Sequence, residues 1–346
     1  MDTEQMSAAA LRATQPEPPR LLDQLAGLHK ALADNLRLQI LRLLKNESFG
    51  VLELCRILDI RQSALSHHLK ILATGRLVST RREGNSIFYR RAFLCDEDSY
   101  REIKKEVFDS IDDLPLPNAQ RKKIKQIQLE RSQQSLQFFE RNADKFREKQ
   151  GLIVEHSHYA NGLHDIIDGL GLSADARVLE VGPGEGQLLV ELAAKFKHLS
   201  ALDNSSDMLD KSRAAISTAG YKHVQFILGD TDVARAEKLR VDLIIFDMVL
   251  HHIASTARTF LDAAALLKSD GFLLIVDLST HAQDWVRESC GDLWLGFDDG
   301  DLDNWAMKAG LEAGQSSYLG LRNGFQIQMR VFKKPTIETK KMFSDS

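Results

Sequence analysis

Leu21, Leu22, Leu25, Leu28, Leu32, Leu36, Ile40, Leu43 and Leu44 return every three or four positions, the spacing of one helical face. Asp34 or Asn35 interrupts that run with a residue suited to capping, so the pattern predicts two helices. Shorter helical patterns over 51–58 and 62–74 predict two more. After Gly75, segment 77–80, the turn Arg82-Glu83-Gly84-Asn85 and segment 86–90 form a β-hairpin pattern. Helices followed by one hairpin make a winged helix. From Asp96 to Lys149 the chain is charged and helix-prone, broken only at Leu114-Pro115-Leu116-Pro117. Beyond Ser173 the pattern changes to short aliphatic runs, 177–181, 199–203, 224–228, 241–246 and 272–277, alternating with helices. Such runs suit a parallel sheet covered on both faces. Two last strand candidates, 316–321 and 326–332, flank Arg322-Asn323-Gly324-Phe325 and suit an antiparallel hairpin. The fold class expected is α/β overall: an N-terminal winged helix-turn-helix and a C-terminal Rossmann-like domain with a mostly parallel, seven-stranded sheet.

The same pattern sets boundaries. Residues 1–19, with Pro16, Pro18 and Pro19 and no apolar periodicity, are expected to be a disordered tail. A winged helix over 20–95, a helical connector over 96–150, a Rossmann-like domain over 151–335 and a tail over 336–346 follow. A chain of 346 residues, 43% hydrophobic and 27% charged, suits a globular protein of at least two domains. The best apolar run, 241–250, is too short to cross a bilayer and carries Asp242 and Asp247. The first 19 residues lack the basic start and apolar stretch of a secretory signal, so a cytoplasmic protein with no membrane partner is expected. Cys55, Cys95 and Cys290 are far apart and fit reduced packing thiols, with no metal centre expected. Net charge is -4, yet residues 20–91 hold 13 Lys and Arg against 6 Asp and Glu. That local surplus predicts a phosphate-facing surface on the first domain.

Segments 52–58 and 62–72, joined by Asp59-Ile60-Arg61, have the length and polarity of a helix-turn-helix. Leu65, Leu69 and Leu72 would face the core, leaving Gln62, Ser63, Ser66, His67 and Lys70 to reach base edges and phosphates. Arg81 and Arg82 on the first wing strand, with Arg90 and Arg91 after the second, would straddle the backbone. Over about 75 residues, LHKALADNLRLQILRLL, VLELCRIL and QSALSHHLKILATGRLVSTRREGNSIFYR resemble the ArsR family of winged-helix repressors. The resemblance implies a homodimer on a palindromic double-stranded DNA operator. Glu53-Leu54-Cys55-Arg56 departs from that family's metal-sensing Cys-x-Cys pair, and one thiol is too few for a soft metalloid, so another effector is expected.

Val178 to Gly186, VLEVGPGEG, lies at a strand-to-helix turn. Its glycines let the backbone pass close to a ligand. A dinucleotide fingerprint would need its third glycine at Gln187, one position later, so this spacing suits a methionyl group better than a pyrophosphate. Asp203 ends the next aliphatic run, 21 residues after Gly182, where a carboxylate can accept both ribose hydroxyls. Gly229-Asp230-Thr231 and Asp247 end the next two runs; all four places are carboxyl ends of strands, where open α/β sheets bind ligands. From about Asp175 to Lys334 the chain resembles class I S-adenosylmethionine (SAM)-dependent methyltransferases, especially the ubiquinone and menaquinone branch. The resemblance implies SAM or S-adenosylhomocysteine (SAH) as cofactor, held by Glu180, Gly182, Pro183, Gly184, Gly186, Asp203, Asn204, Met208, Asp230 and Thr231, with Asp247 on the sulfonium side. Phe138-Phe139-Glu140-Arg141-Asn142-Ala143 resembles the lead-in helix of ArsR–methyltransferase fusions.

His251 and His252, just past the fourth run, are the candidate bases for a protic methyl acceptor. Asp247-Met248-Val249-Leu250 lacks the Pro-Pro-aromatic signature of DNA-amino methyltransferases, and a lone Cys290 disfavours arsenite as acceptor. Asp284, Trp285, Glu288, Trp294, Phe297 and Trp305 either enclose a small apolar acceptor or fill a core. Two functions follow: a transcriptional regulator with SAM or SAH as effector, or a small-molecule methyltransferase whose winged helix controls its own operon.

Overall fold

The computed structural model describes residues 18–142 and 150–336. The expected tails therefore fall almost wholly outside the described residues, as does part of the connector. Pro18 and Pro19, placed in the first tail by composition, instead open a helix, where a missing N–H costs nothing. Contacts divide the chain into two units, 1–124 and 125–346.

In the first unit, α1 (Pro18–Leu32) and α2 (Asn35–Leu43) meet at Asp34, whose side chain accepts the Arg37 amide at 3.0 Å. Buried Arg37 turns back onto the last carbonyls of α1, donating to Ala31 O at 2.6 Å and Lys30 O at 2.8 Å. A two-residue strand, β1 (Phe49–Gly50), precedes α3 (Val51–Leu58). α3 ends at Asp59, held in the left-handed region at φ 59°, and α4 (Gln62–Thr74) follows. β2 (Val78–Glu83) and β3 (Ser86–Arg91) close the wing through the two-residue turn Gly84-Asn85, with Gly84 at φ 60°. The strands run further into the turn than the sequence predicts. β1 pairs with β3 and was missed, because two residues carry no periodicity. Two further helices are α5 (Arg101–Asp112) and α6 (Asn118–Asn142); the division between units falls within α6.

The second unit holds α7 (Ala160–Gly169), β4 (Arg177–Val181), α8 (Gln187–Lys195), β5 (His198–Asp203), α9 (Ser206–Thr218), β6 (Val224–Leu228), α10 (Thr231–Ala236) and β7 (Val241–Asp247). Then come α11 (Thr256–Leu266), β8 (Leu267–Leu278), α12 (Trp285–Ser289), α13 (Asp299–Lys308), β9 (Glu312–Gly320) and β10 (Gln326–Lys333). The sheet order is β6-β5-β4-β7-β8-β10-β9, parallel throughout except for β10, which is antiparallel to both neighbours. This is the seven-stranded, Rossmann-like sheet expected. Successive residues of β4, β5 and β7 are buried, as strands covered on both faces require. Strand order reverses between β4 and β7, which opens a crevice at their carboxyl ends. No described helix is long and apolar enough to cross a membrane.

Candidate functional site

On the first unit, Leu65, Leu69 and Leu72 anchor α4, while Gln62, Ser63, Ser66, His67 and Lys70 stand exposed on its other side. The sequence-predicted reading face is thus one continuous exposed strip. The wing arginines divide. Arg82 is exposed, with Nε donating to Gly84 O at 2.9 Å, but Arg81 is turned inward against fully buried Glu83. An arginine paired inside the wing ties the hairpin together.

On the second unit, a cavity of about 330 Å³ opens at the carboxyl ends of β4, β5 and β7. Gly182 and Gly184 turn at φ 68° and 55°, and Pro183 lies between them; all three line the cavity. A Cβ on Gly182 would stand 2.3 Å from Val249 Cγ2. Gly186, at φ 84°, does not reach the cavity: a Cβ there would meet Ser212 Cα at 3.0 Å, so this glycine lets α8 approach α9. No side chain caps α8, leaving its first amides available to a ligand.

Every other cofactor candidate lines the cavity. Asp203 accepts the Ser205 amide at 2.8 Å; burial raises its carboxyl to about 6 against the lowering effect of the Ser205 and Asn204 amides. Asn204 is exposed, Met208 buried. Asp230 caps α10, accepting Asp232 N and Val233 N at 3.0 and 3.2 Å through one oxygen, and the Thr231 hydroxyl donates to buried Asp262 at 3.1 Å. At the closed end, Glu180 is fully buried, and burial followed by the charge of Asp247 pushes its carboxyl well above the usual range. Among the described residues, Glu180 Oε2 and Asp247 Oδ1 are buried acceptors with no hydrogen-bond donor. Two orphaned acceptors beside a glycine turn fit the ammonium of a methionyl group, and Asp203 fits a ribose diol, so the residues present suit SAM or SAH.

His156 and Tyr159 carry no signal in the sequence pattern. Both line this closed end: Tyr159 OH donates to Asp247 Oδ2 at 3.2 Å, and His156 sits between Glu191 Oε2, 3.0 Å from Nε2, and Asp247 Oδ2, 3.6 Å from Nδ1. Burial pulls His156 down, but Asp247 and Glu191 outweigh it and hold it at about 9. Neither residue belongs to a strand or a periodic pattern.

His251 and His252 take different places. His251 is buried and does not line the cavity; Nδ1 lies 2.7 Å from Asp277 Oδ1 and Nε2 3.9 Å from Asp292 Oδ1. Burial lowers it, yet the two carboxylates raise it to about 9. His252 does line the cavity; burial and then the charge of His251, 4.1 Å away between rings, push it well below its usual range. Its Nδ1 lies 3.2 Å from Gly291 O, which makes Nδ1 the protonated nitrogen and leaves Nε2 as acceptor. His251, His252 and Asp292 also place donor atoms within 4.8 Å of one another, the one such group among the described residues.

The outer wall comes from an element the sequence did not nominate. Gln128, Ser132, Ser135 and Phe139, one face of α6, line the cavity. Arg131 on the same helix donates to Ala254 O at 3.3 Å and stacks 5.1 Å from the Trp294 ring. The residues after β8 do not line it. Trp294 and Phe297 are buried and Trp305 packs on Phe260 and Phe297, so the choice left open resolves to core for these aromatics.

The model of the bacterial regulatory protein arsR family matches residues 34–80, and a methyltransferase domain model matches residues 172–309. A transcriptional repressor SmtB homolog from Synechocystis sp. is 34% identical over 102 residues, 29% of this chain and 77% of the relative. The chain belongs to the arsR family. This arsR-family protein carries a methyltransferase domain in its second half. There it is 31% identical over 107 residues to the tRNA 5-carboxymethoxyuridine methyltransferase of Escherichia coli, covering 30% of this chain and 41% of that enzyme. It thus spans under half of that relative. The solved YcgJ protein from Bacillus subtilis superimposes with a TM-score of 0.43 at 15% identity, covering 52% of this chain and 99% of YcgJ.

Proposed function

We propose that this arsR-family protein is a transcriptional regulator whose methyltransferase domain binds SAM or SAH as an effector. It acts as a cytoplasmic homodimer on a double-stranded DNA operator, through a winged helix over 20–95, a connector over 96–150 and a cofactor domain over 151–335. The observation that carries the reading is α6: residues 128, 132, 135 and 139 wall the cavity, while the helix begins at Asn118 in the first unit. One helix therefore belongs both to the connector and to the cofactor's surroundings, and a ligand that repositions its cavity face acts on the chain leading to the winged helix. Coupling requires different affinities for the DNA-competent and DNA-incompetent states. SAM and SAH differ by a methyl group and a positive charge at sulfur, which Asp247, on the sulfonium side, senses differently.

The test titrates an operator, selected from random duplexes, against apo, SAM-saturated and SAH-saturated protein. The two forms are expected to change operator affinity unequally, by about 1 to 3 kcal/mol, with DNA changing cofactor affinity reciprocally. Asp203→Ala serves as control, losing about 1.5 to 3 kcal/mol of cofactor affinity with the ribose bonds. Equal operator affinities for all three states would leave the domains uncoupled.

A second reading, a methyltransferase acting on a small protic acceptor, is favoured by His252, whose neutral ring at the cavity wall suits a proton acceptor. SAM would supply an activated methyl group; His252 Nε2 would take the acceptor's proton.

The reading face on α4 carries its own expectation. Gln62→Ala relaxes one base position by about 1 to 3 kcal/mol, whereas Arg82→Ala weakens binding to all duplexes and lowers the salt slope by about one unit. Arg81→Ala should act mainly on wing stability. If Gln62→Ala and Arg82→Ala bind operator and random DNA like the parent, the assignment of this face is wrong.

A further inference from the structure

The closed end of the cavity holds more ionisable chemistry than ligand contacts alone require. Glu180 on β4 and Asp247 on β7 present buried, donorless oxygens to the same space. Two carboxyls in one desolvated site resist joint ionisation, which favours a proton on the more buried of them, Glu180. From Asp247 a chain of titratable groups runs outward: His156 Nδ1 at 3.6 Å, Glu191 Oε2 at 3.0 Å from His156 Nε2, and His164 Nε2 at 2.9 Å from the same Glu191 oxygen. The chain starts at a carboxylate 10% exposed and ends at an imidazole 42% exposed. It is a line of neighbouring titratable groups from the buried carboxyls towards solvent, hydrogen-bonded from His156 outward.

We propose that the ammonium group of an amino-acid-bearing ligand displaces a proton held by Glu180 beside Asp247, and that His156, Glu191 and His164 carry that proton to solvent. This rests on the SAM or SAH reading of the cavity. The balance is simple: protonated Glu180 and the ligand ammonium become an ion pair plus one free proton, with no covalent bond formed or broken. Tyr159 OH, which donates to Asp247 Oδ2, also faces the pair; burial and then the charge of Asp247 push it well above its usual range. Burial and then the charge of Asp247 push the Glu180 carboxyl well above its usual range, opposed by the His156 cation. Affinity for the ammonium-bearing ligand then falls as pH falls, about tenfold per pH unit below the free-site titration. His156 tunes this dependence. As a positioning residue beside Asp247 it lowers the cost of ionising the pair.

Calorimetry of full-length protein at neutral pH, in phosphate, ACES and Tris buffers of different ionisation enthalpy, counts the protons. SAH is expected to release about one proton per site, whereas 5′-methylthioadenosine, which keeps the nucleoside and sulfur but lacks the amino-acid end, releases none. Glu180→Gln should still bind SAH, more weakly, with the release abolished. His156→Gln should move the pH at which SAH affinity is half lost upward, a shift that a purely structural role would not produce. Buffer-independent SAH binding, or equal release by SAH and 5′-methylthioadenosine, would overturn the proposal while leaving the cofactor reading intact. No binding of either ligand would overturn both.

Discussion

Asp277→Ala is expected to destabilise the second unit by about 3 to 5 kcal/mol, the cost of leaving a buried charge without its partner. Asp277 is fully buried on β8, and its carboxylate meets both the ring and the backbone amide of His251, at 2.7 and 3.3 Å. Removing it strips the cation of its nearest counter-charge and the turn after β7 of an anchor. All three tryptophans, Trp285, Trp294 and Trp305, lie in the second unit, so fluorescence during urea unfolding reports that unit alone. The pH dependence has a definite sign. His251 is raised from 6.5 to about 9, so its stabilisation is complete below pH 6.5 and lost as pH rises through 9. That shift corresponds to roughly 3 kcal/mol. The gap between parent and Asp277→Ala should therefore be widest below pH 6.5 and narrow towards pH 9.5. A gap under 1 kcal/mol at pH 6 would mean His251 is not held as a cation.

The parallel sheet was legible because β4, β5 and β7 are buried on both faces and read as largely apolar runs, bounded by glycine and acidic residues. The carboxyl ends of those strands also place Glu180, Asp203 and Asp247 in one cavity, so a spacing argument in one dimension found groups that meet in three. What stayed hidden had no period. His156 and Tyr159 lie in and beside a single 3-10 turn before the sheet, where neither helix nor strand spacing applies. Gln128, Ser132, Ser135 and Phe139 do share a helical face, but a face of serine and glutamine resembles a solvated one until a cavity is found beneath it. The different places of His251 and His252 have the same origin. Neighbouring residues in a turn point to different places, and only the position of Asp277, on another strand, shows which histidine faces inward. Arg81 and Arg82 differ likewise, because successive residues of a strand face opposite sides.

Gly182→Ala tests whether the glycine turn is required by the fold itself, apart from any ligand. At φ 68° an added methyl carries the left-handed backbone cost of about 1 to 2 kcal/mol. It also lands 2.3 Å from Val249 Cγ2 and 3.0 Å from Val249 Cβ, an overlap that costs about 1 to 3 kcal/mol to relieve. Together these give an expected loss of about 2 to 5 kcal/mol in urea unfolding followed by tryptophan fluorescence. Val249→Ala separates the two parts. In that background the methyl finds the nearest Val249 atoms beyond Cβ gone, so Gly182→Ala should cost only about 1 to 2 kcal/mol, and the double-mutant cycle reads the difference as the steric part. Gly171→Ala is the comparison: it shares a positive φ of 65° but has no neighbour within 4 Å of an added Cβ, so it should show the backbone cost alone. If Gly182→Ala and Gly171→Ala cost the same in the parent, crowding by Val249 is not what fixes glycine at this turn. A Gly182→Ala loss that exceeds Gly171→Ala and vanishes to that level with Val249→Ala would tie the turn to the residue that follows β7, where Asp247 and His252 also stand.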